Sequence, residues 1–149
     1  MTLWRISDHP QLDGAGGLLA AARWHVAGRH VVYCAPNPAT ALLEVLVHLE
    51  IVPGELPDPL TYIEIGVPDS TSVETVAVST LGPEWRTNPT ATGRIGDEWL
   101  SSERTSLLRV PSVIVPATWN ILINPEHRES AQIRIVRIHR HTIDPRLLR

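Results

Sequence analysis

Hydrophobic and polar residues alternate with a period of two along several stretches of this chain, a pattern that is typical of half-buried strands. Residues 60–67 (LTYIEIGV) place Ile63 and Ile65 on one side, which we expect to face the core. Residues 133–139 alternate in the same way. Shorter apolar runs between turn residues predict further strands at residues 3–7, 29–35, 73–78, 107–115 and 120–124. The pattern therefore predicts a protein with many short strands.

Fewer segments favour a helix. Asn37 is a suitable N-cap and Pro38 a suitable first helical residue, so we predict a helix over residues 39–51 that ends before Pro53. Weaker patterns predict helical turns or a short helix at residues 18–23, 81–85 and 92–100. No repeat, linker or low-complexity stretch divides the sequence. We therefore expect one α+β domain over residues 1–149, with many strands and few helices.

Composition and charge exclude several classes of protein. Hydrophobic residues make up 43% of the chain and charged residues 19%, which is ordinary for a folded domain. The net charge is -3 and the arginines are scattered, so direct binding to nucleic acid is not expected. The single cysteine, Cys34, excludes an internal disulfide, and no apolar run is long enough for a signal peptide or a membrane span. We expect a cytoplasmic protein without a membrane contact.

Glu44 is the residue that most needs an explanation, because the predicted helix around it is apolar on nearly every face. Its neighbours are Leu42, Leu43, Val45, Leu46, Val47 and Leu49. Such a helix is usually buried, and a buried carboxylate is costly unless it is paired, protonated or in a polar pocket. Two interpretations stay open. Glu44 pairs at the rim of the fold with an arginine or with His48, or it is a catalytic carboxylate.

Arg23 and Tyr33 stand on either side of a flexible loop that contains Gly28. The planar guanidinium of an arginine matches a phosphate or pyrophosphate, and the ring of a tyrosine can stack on a flat ligand. The alternative is that the arginine is solvated at the surface and the tyrosine fills the core. On the residues alone, both interpretations remain.

Ser112 lies within a proline-bounded apolar segment, VPSVIVP, that lacks the G-x-S-x-G pattern of a serine hydrolase. Its hydroxyl and the side chain of Asn120 are therefore first expected to bond nearby backbone groups. The seven histidines show no metal-binding spacing, so no metal is expected. The sequence also lacks a Walker loop and a dinucleotide fingerprint in the right setting, which argues against a Rossmann-type nucleotide site.

Four segments taken together resemble the RES domain. They are RWHVAGRHVVYCA at residues 23–35, ALLEVLVH at 41–48, VPSVIVP at 110–116 and NILINPEH at 120–127. The family takes its name from an arginine, a glutamate and a serine, which are matched here by Arg23, Glu44 and Ser112. The resemblance extends from Trp4 to about Ile138, nearly the whole chain.

The resemblance implies a mostly antiparallel β core similar to that of the ADP-ribosyltransferases. It also implies an activity that consumes NAD⁺ as substrate, by breaking the bond between nicotinamide and ribose. Glu44 would then stabilise the positive charge that develops on the ribose, and Arg23 would contact a phosphate. Tyr33 would stack on nicotinamide, Ser112 would hold a ribose hydroxyl or Glu44, and Asn120 would be a further ligand contact.

RES-domain proteins are toxins that an Xre-like antitoxin holds inactive, and the antitoxin carries the DNA-binding domain. The resemblance thus implies such a partner, and a homodimer within the complex is one arrangement to consider. The acceptor of the ADP-ribose stays open among water, phosphate and a protein. Two other functions stay open as well, a non-catalytic antitoxin-binding protein and, with less support, a ribonuclease.

Overall fold

Seven strands form two sheets in the computed structural model, which describes residues 1–48 and 58–148. The strands are Thr2–Ile6 (β1), Val32–Cys34 (β2), Leu60–Gly66 (β3), Val73–Thr75 (β4), Leu107–Pro111 (β5), Trp119–Ile123 (β6) and Arg134–His141 (β7). The first sheet has the order β1-β3-β7 and the second the order β2-β6-β5-β4. Every pairing is antiparallel except β4 with β5. The predicted α+β class with a mostly antiparallel core is confirmed.

Three α-helices accompany the sheets in the described residues. They are Gly16–Leu19 (α1), Pro38–His48 (α2) and Pro89–Ser102 (α3). The predicted N-cap of α2 is confirmed, because Asn37 Oδ1 accepts a hydrogen bond from Thr40 N at 2.8 Å. The predicted end of this helix at residue 51 lies outside the described residues. No described helix has the length and apolar character needed to cross a bilayer.

The main core lies between the two sheets. Strands of the first sheet contribute Leu3, Ile63 and Ile65, and strands of the second sheet contribute Val32 and Ile121. Ile63 and Ile65 are completely buried, as their alternation predicted. An isolated bridge between Trp4 and Ala35 also joins β1 to the end of β2. Because the sheets meet there, the ends of β1 and β2 lie side by side.

A second apolar cluster lies on the other face of the second sheet, beneath α3. Leu108, Val110 and Leu122 point to this side and pack with Trp24 and Trp99. The alternation along β5 and β6 therefore supplies two cores, one for each face of the sheet. Through this cluster, α3 supports the segment around Trp24.

Several predicted boundaries were wrong, and local hydrogen bonds explain why. The strand predicted over residues 107–115 ends at Pro111, because Ser112 Oγ accepts hydrogen bonds from the next turn. The strand predicted over 73–78 ends at Thr75 and is followed by a 3₁₀ turn, Val78–Thr80. The short helix predicted over 92–100 is longer, because Asn88 caps it through a bond from Ala91 N at 3.2 Å.

The expectation of a buried α2 was also wrong. Only Thr40 and Ala41 are buried in this helix, whereas Leu43 and Val47 are 42% and 60% exposed. Among the described elements, α2 packs mainly against β1. Glu44 therefore does not lie in a fully apolar environment.

Gly96 determines how closely α3 approaches the Trp24 segment. A Cβ at this position would lie 1.6 Å from Trp24 O, so a methyl group has no room. We expect Gly96→Ala to destabilise the fold by about 1–3 kcal/mol, measured by urea denaturation. Gly93→Ala on the same helix is the matched control, since its Cβ would meet nothing within 4 Å. It should raise stability by up to about 1 kcal/mol through helix propensity. Equal stability of the two variants would contradict the close contact.

Candidate active site

A pocket of about 390 Å³ opens between α2, the end of β1 and the segment that leads to Trp24. Arg23, Tyr33, Glu44 and Asn120 line it, although Asn120 lies far from the other three along the sequence. Its volume lies within the range of about 300–1,000 Å³ that is typical of small-molecule sites. The structure thus brings four of the five predicted site residues to one concave surface.

One oxygen of the Glu44 carboxylate is held from the second sheet. Asn120 Nδ2 donates to Glu44 Oε1 at 2.7 Å, and Ser112 Oγ donates to the same oxygen at 3.4 Å. No described residue donates to Oε2. Oε1 of Glu44 is therefore fixed by donors from the second sheet and the turn that follows β5.

The contacts of Glu44 bear on its expected pairing at the rim of the fold. The His48 ring does not reach the carboxylate, because its Nδ1 donates instead to the backbone carbonyl of Glu44 at 2.6 Å. Within residues 1–48 and 58–148 no arginine forms an ion pair with Glu44 either. Neutral donors hold Glu44, so the expected pairing at the rim of the fold is absent there.

Ser112 contacts Glu44 without lining the pocket itself. Its oxygen also accepts hydrogen bonds from Ile114 N at 3.1 Å and Val115 N at 3.3 Å, which turn the chain after β5. The backbone role expected for a serine in this segment is therefore present. The bond to Glu44 is long, so Asn120 is the stronger of the two partners of the carboxylate.

Tyr33 is fixed at its far end. Its hydroxyl oxygen accepts from Trp24 N at 3.2 Å and lies 2.8 Å from His25 Nδ1. Burial raises the pKa of Tyr33 well above its usual range, against a smaller opposing effect of the bond from Trp24 N. The hydroxyl therefore keeps its proton, and the ring of Tyr33 forms part of the pocket wall.

Arg23 is held by the turn that precedes α3. Its Nη1 donates to Arg86 O at 2.9 Å and to Trp85 O at 3.3 Å. Thr92 on α3 fixes the backbone of the same residue, since its hydroxyl donates to Arg23 O at 2.6 Å. The guanidinium thus has one nitrogen committed to backbone carbonyls, with further N–H groups available for an anion.

Arg5 and Cys34 also line the pocket, and sequence reasoning missed both as site residues. Arg5 adds a second cation, and its contact in the described chain is to the carbonyl of Gln11 at 3.2 Å. Burial raises the pKa of the Cys34 thiol to about 12, against a lowering effect of Arg5. The thiol is therefore neutral, which argues against a cysteine nucleophile. The position of Arg5 in the pocket follows from the fold, because the end of β1 lies beside the end of β2.

Asn120 contains an unsatisfied acceptor. Its Oδ1 is shielded from solvent and has no hydrogen-bond partner among the described residues. Leaving a buried acceptor unpaired costs about 1–3 kcal/mol. A ligand that donates an N–H or O–H group would relieve this cost.

The pocket therefore combines one carboxylate with two arginines and a flat aromatic wall. This set suits a ligand that has phosphate groups, a flat ring and a centre that becomes positively charged. Across the part of the chain that the structure describes, no group of three or more His, Cys, Asp or Glu side chains is placed to hold a metal ion.

Comparison with known proteins identifies the family of the chain. The profile of the RES domain matches residues 2–144. The chain is 44% identical over 147 residues to Toxin Res of Pseudomonas putida, covering 99% of each chain. It is 38% identical over 160 residues to the Prs ADP-ribosylating toxin of a Sphingobium species, covering 99% of this chain and 97% of that protein.

A solved structure has a similar fold. It is the MbcT-MbcA toxin-antitoxin complex of M. tuberculosis, with a TM-score of 0.77 and 15% sequence identity. The similarity covers 98% of this chain and 85% of the chain in that complex.

Proposed function

Because the chain belongs to the RES domain family, we propose that it is the toxin of a toxin–antitoxin pair and that it consumes NAD⁺ by breaking the bond between nicotinamide and ribose. The observation that carries this proposal is the Glu44 carboxylate. One of its oxygens is held by Asn120, in a pocket that also contains Arg23 and Tyr33. We place the reaction in the cytoplasm, where NAD⁺ is available.

The chemistry of this bond requires a stabilising negative charge. When the bond breaks, its electron pair leaves with the nicotinamide nitrogen, which becomes neutral, and positive charge develops on the ribose carbon and ring oxygen. Glu44 stabilises this charge electrostatically. The acceptor then forms a bond to the same carbon, and a water acceptor loses one proton.

The other pocket residues bind and orient the substrate. Arg23 contacts the pyrophosphate, since its guanidinium is already oriented by the carbonyls of Trp85 and Arg86. Tyr33 stacks on the nicotinamide ring, and its ring is fixed because its hydroxyl is bonded at the far end. Asn120 Oδ1 accepts a hydrogen bond from an amide or hydroxyl group of the substrate.

Asn120 and Ser112 should differ in their effects on turnover. Asn120→Ala removes the 2.7 Å bond to Glu44, whereas Ser112→Ala removes a 3.4 Å bond and two bonds within its own turn. We expect Asn120→Ala to lower kcat on the order of 10-fold, the equivalent of one hydrogen bond to a charged group. Ser112→Ala should mainly lower the melting temperature. Steady-state kinetics and thermal melting test this, and the reverse order of effects would contradict the contact geometry.

Release of nicotinamide is the direct test of the proposed activity. Purified protein is incubated with NAD⁺, and the products are separated by chromatography, with water alone or with inorganic phosphate as acceptor. Free nicotinamide together with ADP-ribose would indicate hydrolysis, and ADP-ribose 1-phosphate would indicate phosphorolysis. Unchanged NAD⁺ would contradict the proposal and favour a non-catalytic protein that only binds its antitoxin.

Transfer of ADP-ribose to another protein is the second candidate function. The 38% identical relative from Sphingobium is named an ADP-ribosylating toxin, which supports it. NAD⁺ labelled in the adenine half distinguishes the two, since only transfer leaves the label on protein from a bacterial lysate. Label that stays in small molecules would leave NAD⁺ depletion as the function.

An antitoxin partner is part of the proposal. Its support is that the 44% identical relative from Pseudomonas putida is named a toxin and that the similar structure is a toxin–antitoxin complex. We propose an Xre-like antitoxin with the DNA-binding domain, in agreement with the net charge of -3 of this chain. Co-expression with such a protein should restore growth, and the mass of the purified complex would give the stoichiometry, including any homodimer.

A further inference from the structure

His25 connects three parts of the structure behind the pocket. Its Nε2 lies 3.0 Å from the carbonyl of Ala20 at the end of α1, and its Nδ1 lies 2.8 Å from the Tyr33 hydroxyl on β2. Its own backbone closes a tight turn with Ala22, and Arg23 lies within that turn. One side chain thus joins α1, the turn that presents Arg23 and the strand that presents Tyr33.

The hydrogen-bond partners define the form of the His25 ring. The carbonyl of Ala20 can only accept, so Nε2 must have the proton. The Tyr33 hydroxyl keeps its proton, and Nδ1 at 2.8 Å is the acceptor that the described residues offer to it. In a neutral ring that is protonated at Nε2, Nδ1 is an acceptor. The Tyr33 hydroxyl therefore donates to Nδ1, while its oxygen accepts from Trp24 N.

His25 does not line the pocket. Arg23 and Tyr33, on either side of it, are both present in the pocket wall. A role in catalysis can then only be indirect. The close packing around the ring agrees with this, since Gly17 leaves just enough room for it and a Cβ there would lie 3.2 Å from Nε2.

We propose that His25 is a positioning residue whose Nδ1 fixes the orientation of Tyr33, while its Nε2–H bond to Ala20 contributes to stability. The role in turnover rests on the function proposed above. The ring of Tyr33 is then oriented before nicotinamide arrives, so substrate binding does not have to order it. Loss of this arrangement raises KM for NAD⁺ and leaves kcat, which depends on Glu44, comparatively unchanged.

Two substitutions separate the two bonds of His25. In His25→Asn, Oδ1 takes the place of Nδ1 and can still accept the Tyr33 proton, but the bond to Ala20 is lost. In His25→Gln, the terminal amide reaches the place of Nε2 and can still donate to Ala20, but the bond to Tyr33 is lost. Each variant loses one buried hydrogen bond, so we expect similar melting temperatures.

The kinetic experiment compares these variants for KM and kcat of nicotinamide release. We expect His25→Gln to raise KM on the order of 10-fold and His25→Asn to stay close to the parent. In a Tyr33→Phe background the difference in KM between the two should disappear, because that difference depends on the bond to the Tyr33 hydroxyl. Equal KM values in the parent background would overturn the proposal. A purely structural role would lower the melting temperature without this difference.

Nuclear magnetic resonance tests the arrangement without any turnover. We expect the ¹⁵N shifts of the His25 ring to show a neutral ring with its proton on Nε2. We also expect the ring of Tyr33 to flip faster in His25→Gln than in His25→Asn. A proton on Nδ1, or equal flip rates, would overturn the proposal even in a protein that releases no nicotinamide. Absence of nicotinamide release by the parent chain would instead overturn only the proposed function.

Discussion

Replacing Glu44 with glutamine is expected to lower kcat for nicotinamide release on the order of 10² to 10³, the loss that follows removal of one group that stabilises charge in a transition state. The negative charge is needed most when positive charge develops on the ribose. KM for NAD⁺ should therefore change comparatively little.

The contacts of Glu44 make this substitution a clean test. A glutamine has nearly the same shape, and its oxygen can still accept the 2.7 Å bond from Asn120. No arginine within the described chain loses an ion pair, so we expect the free energy of unfolding to change by less than about 1 kcal/mol. A large loss of turnover without a loss of stability separates a catalytic role from a structural one.

Glu98→Gln is the matched control, because this glutamate on α3 has a side chain that is 78% exposed and forms only a 3.8 Å contact with Arg104. It should leave turnover and melting temperature unchanged. Growth arrest in cells, nicotinamide release and thermal melting are measured for each variant. Together they distinguish a catalytic role of Glu44 from a structural one. A stable Glu44→Gln protein with near-parental nicotinamide release would remove Glu44 from the mechanism.

The sequence predicted best those parts of the fold that depend on neighbouring residues. The N-cap at Asn37 and the alternation around Ile63 were correct, because a cap and a strand face are determined within a few residues. The end of β5 could not be found in this way. Apolar residues continue to Val115, and only the bonds that Ser112 makes to the following backbone end the strand.

The burial of α2 depends on distant residues, which explains the wrong prediction there. An apolar helix indicates burial only when other elements cover it, and in the described structure α2 packs mainly against β1 and keeps Leu43 and Val47 exposed. The same limit applies to the site. The residue types pointed to Glu44, but its partner Asn120 is 76 residues away along the chain.

The family resemblance predicted that the four pocket residues share one site. The pattern around each residue alone left other interpretations open. The structure places them along one pocket, and their chemical roles remain predictions. Residues that support them, such as Thr92 and His25, have no motif of their own. They are recognisable only from the contacts that they make with Arg23 and Tyr33.

Replacing Arg23 with alanine is expected to raise KM for NAD⁺ on the order of 10- to 100-fold, because a hydrogen bond to a charged group contributes about 1.5–3 kcal/mol. The structure adds a smaller effect on folding. The carbonyls of Trp85 and Arg86 lose a donor, so we expect a cost of about 1 kcal/mol in the free energy of unfolding.

Two further substitutions make the Arg23 result interpretable. Arg94→Ala removes an exposed arginine from α3 and should leave KM unchanged, which shows that loss of one positive charge is not sufficient. Arg23→Lys keeps the charge but loses the planar guanidinium, so its KM should lie between those of the parent and Arg23→Ala. Isothermal titration with NAD⁺ on the Glu44→Gln background measures affinity directly, because turnover there is slow. The contrary outcome is an Arg23→Ala protein that is less stable but, when folded, binds NAD⁺ with parental affinity. Arg23 would then only support the turn around Trp85. The phosphate contact would have to come from Arg5, the other arginine of the pocket.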